Sequence, residues 1–102
     1  MSTASGSANA LPAPSRLTAD TRREFRAAAL DHLKRAVRES AMRISVDMSA
    51  TREVDESGIG ALLMLEKRAR EQMVATRLLN ADSSVRRVLR LAGVEYLFEF
   101  DG

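Results

Sequence analysis

Residues 42–63 read MRISVDMSATREVDESGIGALL, and the reading of this stretch decides the fold. Its first part alternates. Met42, Ile44, Val46 and Met48 are apolar, and Arg43, Ser45 and Asp47 between them are polar. Successive side chains of a strand point to opposite faces, so a period of two predicts a strand with one packed face. Residues 49–54 then read as a polar connection. From Asp55 the period changes: Ile59, Leu62, Leu63, Leu65, Ala69 and Met73 recur at helical spacing, with Glu66, Lys67, Arg68, Arg70 and Glu71 on the other sides. A strand leading through a short loop into an amphipathic helix predicts a crossover unit, with Asp55 or Ser57 as the helix cap.

The flanks extend the pattern. Leu11 to Leu17 carries Pro12 and Pro14, which restrict it to an edge strand or an extended lead-in. Asp20 and Thr21 offer an N-cap, and Thr21 and Glu24 have capping-box spacing. Phe25, Ala29, Leu33 and Val37 then recur at every fourth position, widened by Leu30 and Ala36, which predicts a helix of about five turns. Downstream, Val74 to Asn80 reads as a strand. Asp82 or Ser83 caps a third helix, Val85 to Ala92, with Val85, Val88, Leu89 and Ala92 inward and Gly93 as a left-handed stop. Val94 to Phe100 closes as a short apolar strand or tail. Helices alternating with strands predict an α/β fold, a small, partly parallel sheet packed with about three helices.

Composition narrows the function. The chain has 102 residues, enough for one core without staples, and residues 11–102 are expected to form a single domain after a disordered tail over 1–10. The absence of cysteine excludes disulfides, zinc-thiolate sites and thiol catalysis. Sixteen Lys and Arg against fourteen Asp and Glu are interspersed, and Tyr96 is the only Tyr, which argues against a nucleic-acid face. No apolar run reaches the length of a membrane span, and the opening residues lack the basic start and apolar block of a secretory signal, so the expected compartment is the cytoplasm.

The run Asp47-Met-Ser49, then Asp55-Glu-Ser57-Gly58-Ile-Gly60, resembles the hallmark of the STAS domain family. There, a buried strand ends in Asp-apolar-Ser, and Asp-Ser-Ser-Gly-Leu-Gly opens a helix. Arg77-Leu-Leu-Asn80 is similar to the family's third sheet segment, Val85 to Val94 to its last helix, and Leu97 to Phe100 to its usual ending. The likeness covers residues 17–100, approximately, and is nearest to the anti-sigma factor antagonists. Two departures stand out. Glu56 replaces the first Ser of the pair, and the region before the first helix is too short for the family's long opening hairpin. That brevity resembles the shortened STAS domains that accompany ABC lipid transporters, in which the position of Ser57 is often not Ser.

The resemblance implies a non-catalytic switch with no cofactor of its own. Ser57 takes the position of the serine phosphorylated by an anti-sigma factor that is a serine kinase of ATPase fold and reset by a metal-dependent serine phosphatase. Asp55, Glu56, Ser57, Gly58 and Ile59 would form the partner surface. The alternative it implies is a regulatory subunit docked on an ABC transporter ATPase.

Weaker signals carry less. Gly58-Ile-Gly60 begins like a dinucleotide fingerprint, but Leu63 stands where a third glycine is needed, so close helix packing is the expected role of both glycines. His32 has no second His or Cys to complete a metal site or triad. The methionines read as core filler. Ser49 and Thr51 are secondary phosphorylation candidates.

Overall fold

The computed structural model describes residues 9–101. Most of the expected tail, residues 1–8, lies outside the described residues, while Asn9 and Ala10 lead directly into β1. The elements are β1 (Leu11–Pro12), β2 (Arg16–Leu17), α1 (Arg22–Arg38), β3 (Arg43–Asp47), β4 (Glu53–Val54), α2 (Glu56–Glu71), β5 (Ala75–Leu79), α3 (Ser83–Leu91), a 3-10 turn (Glu95–Leu97) and β6 (Glu99–Phe100). The α/β reading with three helices is met.

One sheet has the order β1-β3-β5-β6, and a second, two-stranded one pairs β2 with β4. All four pairings are parallel. In the main sheet Val46 lies beside Leu11 and Leu78, and Leu78 beside Phe100. Ile44, Val46, Met48, Thr76 and Leu78 are buried on this side, with Phe25, Ala29 and Leu33 of α1 and Leu62, Leu65 and Ala69 of α2 in the same core. Each large side chain taken fully out of water here, such as Leu17, Leu62 or Leu78, contributes about 1.5–3 kcal/mol. The other side of the sheet presents Arg43, Ser45, Arg77 and Glu99, and Glu99 pairs with both arginines.

The strand and helix periods predict more burial than is realised at element ends. Met42 is 82% exposed and lies one residue before β3 begins. Met73 is 88% exposed in the turn after α2, with φ at +62°, so it is neither helical nor core. On α1 the packed stripe is Phe25, Ala29, Leu33 and Ala36, while Val37 turns outward. A 3.6-residue period drifts off a strict four-residue spacing, and by the fourth turn the packed position has moved from residue 37 to 36. Val85 and Leu89 carry the burial of α3, whereas Ala92 is exposed beyond the helix end.

The caps are local and mostly as read. Asp82 caps α3, accepting from the Val85 amide at 2.9 Å, and Gly93 takes φ +77° behind it. The Thr21–Glu24 capping box does not form. The Thr21 hydroxyl instead donates to the Arg16 carbonyl at 2.6 Å and accepts from the Thr18 amide at 3.1 Å, tying the start of α1 to β2.

Three carboxylates are held below their usual range. For Asp47 the main cause is the Ser49 amide, with the Asn80 side chain adding to it against partial burial. For Asp82 it is the Val85 amide and then the Ser84 hydroxyl, and for Glu99 the Arg43 guanidinium. His32 is lowered too, first by burial and then by Arg35. A lowered group takes up its proton in the unfolded chain first, so its contribution is complete at high pH and is lost on acidification. The urea midpoint is therefore expected to slip below about pH 6.5, from His32, and to fall further below about pH 4, from the carboxylates. Asp82→Asn should flatten the acid limb, and a midpoint constant down to about pH 3 would contradict this assignment.

Candidate functional site

The site is the start of α2, and its platform is the backbone of Leu17. The polar connection expected over residues 49–54 is structured. The Arg52 amide donates to the Ser15 carbonyl at 2.8 Å, and Glu53–Val54 pairs in parallel with Arg16–Leu17. Thr51 is fully buried, its hydroxyl donating to the Pro14 carbonyl at 2.8 Å, which removes it as an accessible phosphorylation candidate. Ser49 is exposed. Arg16 and Glu53 form an ion pair across the two short strands at 3.0 Å.

Asp55 follows this pair and is the N-cap of α2. One carboxylate oxygen accepts from the Gly58 amide at 2.9 Å; the other accepts from the Ala19 amide at 3.3 Å. The Asp55 amide donates to the Leu17 carbonyl at 3.3 Å. A single aspartate thus caps the helix and binds it to the segment that leads into α1. Of the two cap candidates, the structure selects Asp55 because its extended backbone (φ −100°, ψ −173°) lets a short side chain reach forward three residues.

Gly58 is buried against the same platform. A Cβ at this position would lie 2.0 Å from the Leu17 carbonyl oxygen and 3.0 Å from a Val54 methyl, so no side chain fits. The expected close packing holds for Gly58. It does not hold for Gly60, where an added Cβ would meet nothing within 4 Å and the residue is exposed.

Ser57 sits between these fixed residues, half-buried, in the first turn of α2. Its hydroxyl takes part in none of the side-chain hydrogen bonds among the described residues, and the capping of the helix is done by Asp55. Glu56 is exposed beside it, and Ile59 is half-buried against the core. Of the five expected site residues, Glu56 and Ser57 therefore offer side chains to a neighbour, Asp55 and Gly58 shape the helix start, and Ile59 anchors it. Ala19, Leu17 and Thr51 belong to the site's framework and were not legible in the sequence. The β-branched Val54 was the one available hint that Glu53–Val54 pair as a strand.

The arrangement has a clear electrostatic sense. The first amides of a helix have no intrahelical partner and carry a partial positive charge, which tolerates an anion locally. Two basic side chains of the segments that frame the site are engaged: Arg16 with Glu53, and Arg52 with Asp82 at 3.9 Å. Among the described residues, no group of His, Cys, Asp and Glu could hold a metal ion, and no helix is long and apolar enough to cross a membrane.

The family model described as the MlaB-type STAS domain matches residues 2–99. Among solved structures, the fold is similar to a candidate anti-sigma factor antagonist from Thermotoga maritima, with 16% identity and a TM-score of 0.71 over 83% of this chain and 70% of that one. It is similar to the anti-sigma factor antagonist SpoIIAA in its unphosphorylated form, with 20% identity and a TM-score of 0.66 over 89% and 76% of the two chains. The Bacillus cell fate determinant SpoIIAA in its phosphorylated form aligns at 18% identity and a TM-score of 0.60, over 89% and 79%. A search of the curated proteins finds no match. With the parallel sheet, the Asp55 cap and the Gly58 contact in place, the match over nearly the whole chain shows that this protein belongs to the STAS domain family.

Proposed function

We propose that the protein is a non-catalytic switch, a single domain over residues 11–102 acting as an anti-sigma factor antagonist in the cytoplasm. In this reading unmodified Ser57 allows binding to a kinase-type anti-sigma factor, and phosphorylation of Ser57 breaks that contact. A metal-dependent phosphatase restores it. The observation that carries the reading is the division of labour at the start of α2. Asp55 does the capping, so the half-buried Ser57 hydroxyl is left without a structural partner. A phosphate there would add about −1.5 to −2 charge beside Asp55 and Glu56, which an exposed helix start tolerates and a pressed interface does not. Mass spectrometry of the chain isolated from its native host is expected to find one phosphate, on Ser57. With Ser57→Ala and Ser57→Asp as baits, a kinase-type partner should be retained by the first and lost by the second. Phosphate at Ser49 instead, or equal retention of that partner by both baits, counts against the switch.

A second reading is favoured by the MlaB-type family match and by the two-residue strands β1 and β2 that stand where a long opening hairpin would be. In it the domain is a regulatory subunit docked on the ATPase of an ABC lipid transporter, without phosphorylation. The same baits decide: an ABC ATPase held equally by both, on a chain carrying no phosphate, supports this reading over the first.

A further inference from the structure

At the other end of α2 from Ser57, the C-terminal halves of α1 and α2 border an open groove of about 680 Å³. Arg68 lies eleven residues beyond Ser57, about 16 Å along the helix at 1.5 Å per residue. The floor is apolar. Leu33 is buried, Leu30 half-buried, and Val37 is 39% exposed, the outward residue that the α1 stripe leaves over. Lys34 and Arg38 stand on the α1 wall, and Arg68, Glu71 and Gln72 on the α2 wall.

The charge of this groove is only partly compensated internally: three cations face one acid in the lining. Several arginines elsewhere are tied to carboxylates, such as Arg16 to Glu53, Arg43 to Glu99, Arg70 to Glu66, and Arg86 and Arg90 to Glu95, while among the described residues Arg22, Arg23, Arg26 and Arg87 stand free on the surface. Among the described residues, Lys34, Arg38 and Arg68 have no carboxylate within ion-pair distance, and Glu71 is the one acid in the lining. The C-terminal carbonyls of the two helices offset this charge only in part, by about half an elementary charge each. The amides of Glu39, Ser40 and Ala41 donate to the carbonyls of Arg35, Val37 and Ala36, and those of Gln72, Met73 and Val74 to Ala69, Arg70 and again Ala69.

We propose that this groove docks an acidic amphipathic helix of a protein partner, its apolar stripe on Leu30, Leu33 and Val37 and its carboxylates on Lys34, Arg38 and Arg68. Two helices with a channel between them receive a third by the same ridge-into-groove packing that joins helices in a core. A small molecule is better held by an enclosed pocket that covers most of its surface, and this groove is open. A membrane-binding face carries several large projecting apolar side chains, whereas here Leu33 is buried, Leu30 half-buried and Val37 alone in the lining is an exposed apolar residue. The lining has no aromatic residue on which a nucleotide base could stack. Because the contact is a helix length away from Ser57, it holds the partner in either state of that residue.

The test is a two-dimensional ¹⁵N NMR titration with a synthetic amphipathic peptide built from Leu and Glu, set against its Leu and Lys counterpart. Shifts are expected at Leu30, Val37, Arg38, Arg68 and Gln72 and none at Ser57, with the acidic peptide only. The double variant Arg38→Glu, Arg68→Glu should weaken binding about tenfold, and added salt should weaken it further. Val37→Ser should weaken it about threefold and provides a second measure if the double variant does not fold. Ser57→Asp should bind as the unaltered protein does, which separates this contact from the switch. Shifts absent or centred elsewhere, equal binding of the basic peptide, or unaltered affinity in the variants would overturn the proposal. So would capture by phosphatidylglycerol vesicles that these variants abolish while peptide binding persists, which would identify a lipid surface.

Discussion

Gly58→Ala is expected to destabilise the domain by about 3 kcal/mol, at the upper end of overpacking costs, and to lower its melting temperature by roughly 10–20 °C. The added methyl would sit 2.0 Å from the Leu17 carbonyl oxygen, far inside contact distance, and its obstacle is backbone that cannot rotate away. Relief requires α2 to move off β2, which loosens the Asp55–Ala19 tie and exposes Leu17, a fully buried residue. Gly60→Ala, two residues on, is the control. Nothing stands within 4 Å of its Cβ, and replacing a helical glycine by alanine should stabilise by about 0.5–1 kcal/mol. Thermal unfolding of the two variants should therefore move in opposite directions. A Gly58→Ala variant as stable as the unaltered protein would mean that α2 does not press on Leu17 as described.

The second large effect separates Asp55 from Ser57. Asp55→Ala removes an acceptor from two amides at once and should cost about 1–2 kcal/mol, in the range of a lost N-cap. Ser57→Ala should stay within about 0.5 kcal/mol, because its hydroxyl caps nothing. Ser57→Asp should be neutral or slightly stabilising, since an acid in the first turn suits the helix dipole. Urea unfolding of the three variants gives the order directly. A loss for Ser57→Ala equal to that for Asp55→Ala would make Ser57 a structural residue and would withdraw the support that its free hydroxyl lends to the switch.

What the sequence by itself determined is whatever depends on neighbours a few residues away. The alternation from Arg43 to Asp47, the helical period of α2, the caps Asp55 and Asp82, and the left-handed Gly93 all follow from local geometry, and all are present. The motif around Asp55 to Gly60 carried the family for the same reason, since its residues are contiguous. The tertiary structure decided whatever joins distant segments. β2 and β4 are two residues each, too short to announce themselves, and exist only because Arg16 and Leu17 lie against Glu53 and Val54. That pairing buries Thr51, sends the Thr21 hydroxyl to Arg16 and makes the Leu17 carbonyl the wall that only a glycine at 58 can approach. Packing likewise left Val37 over a groove and Met42 and Met73 in water, because periodicity names the residues able to be buried while only the neighbouring elements determine where burial ends.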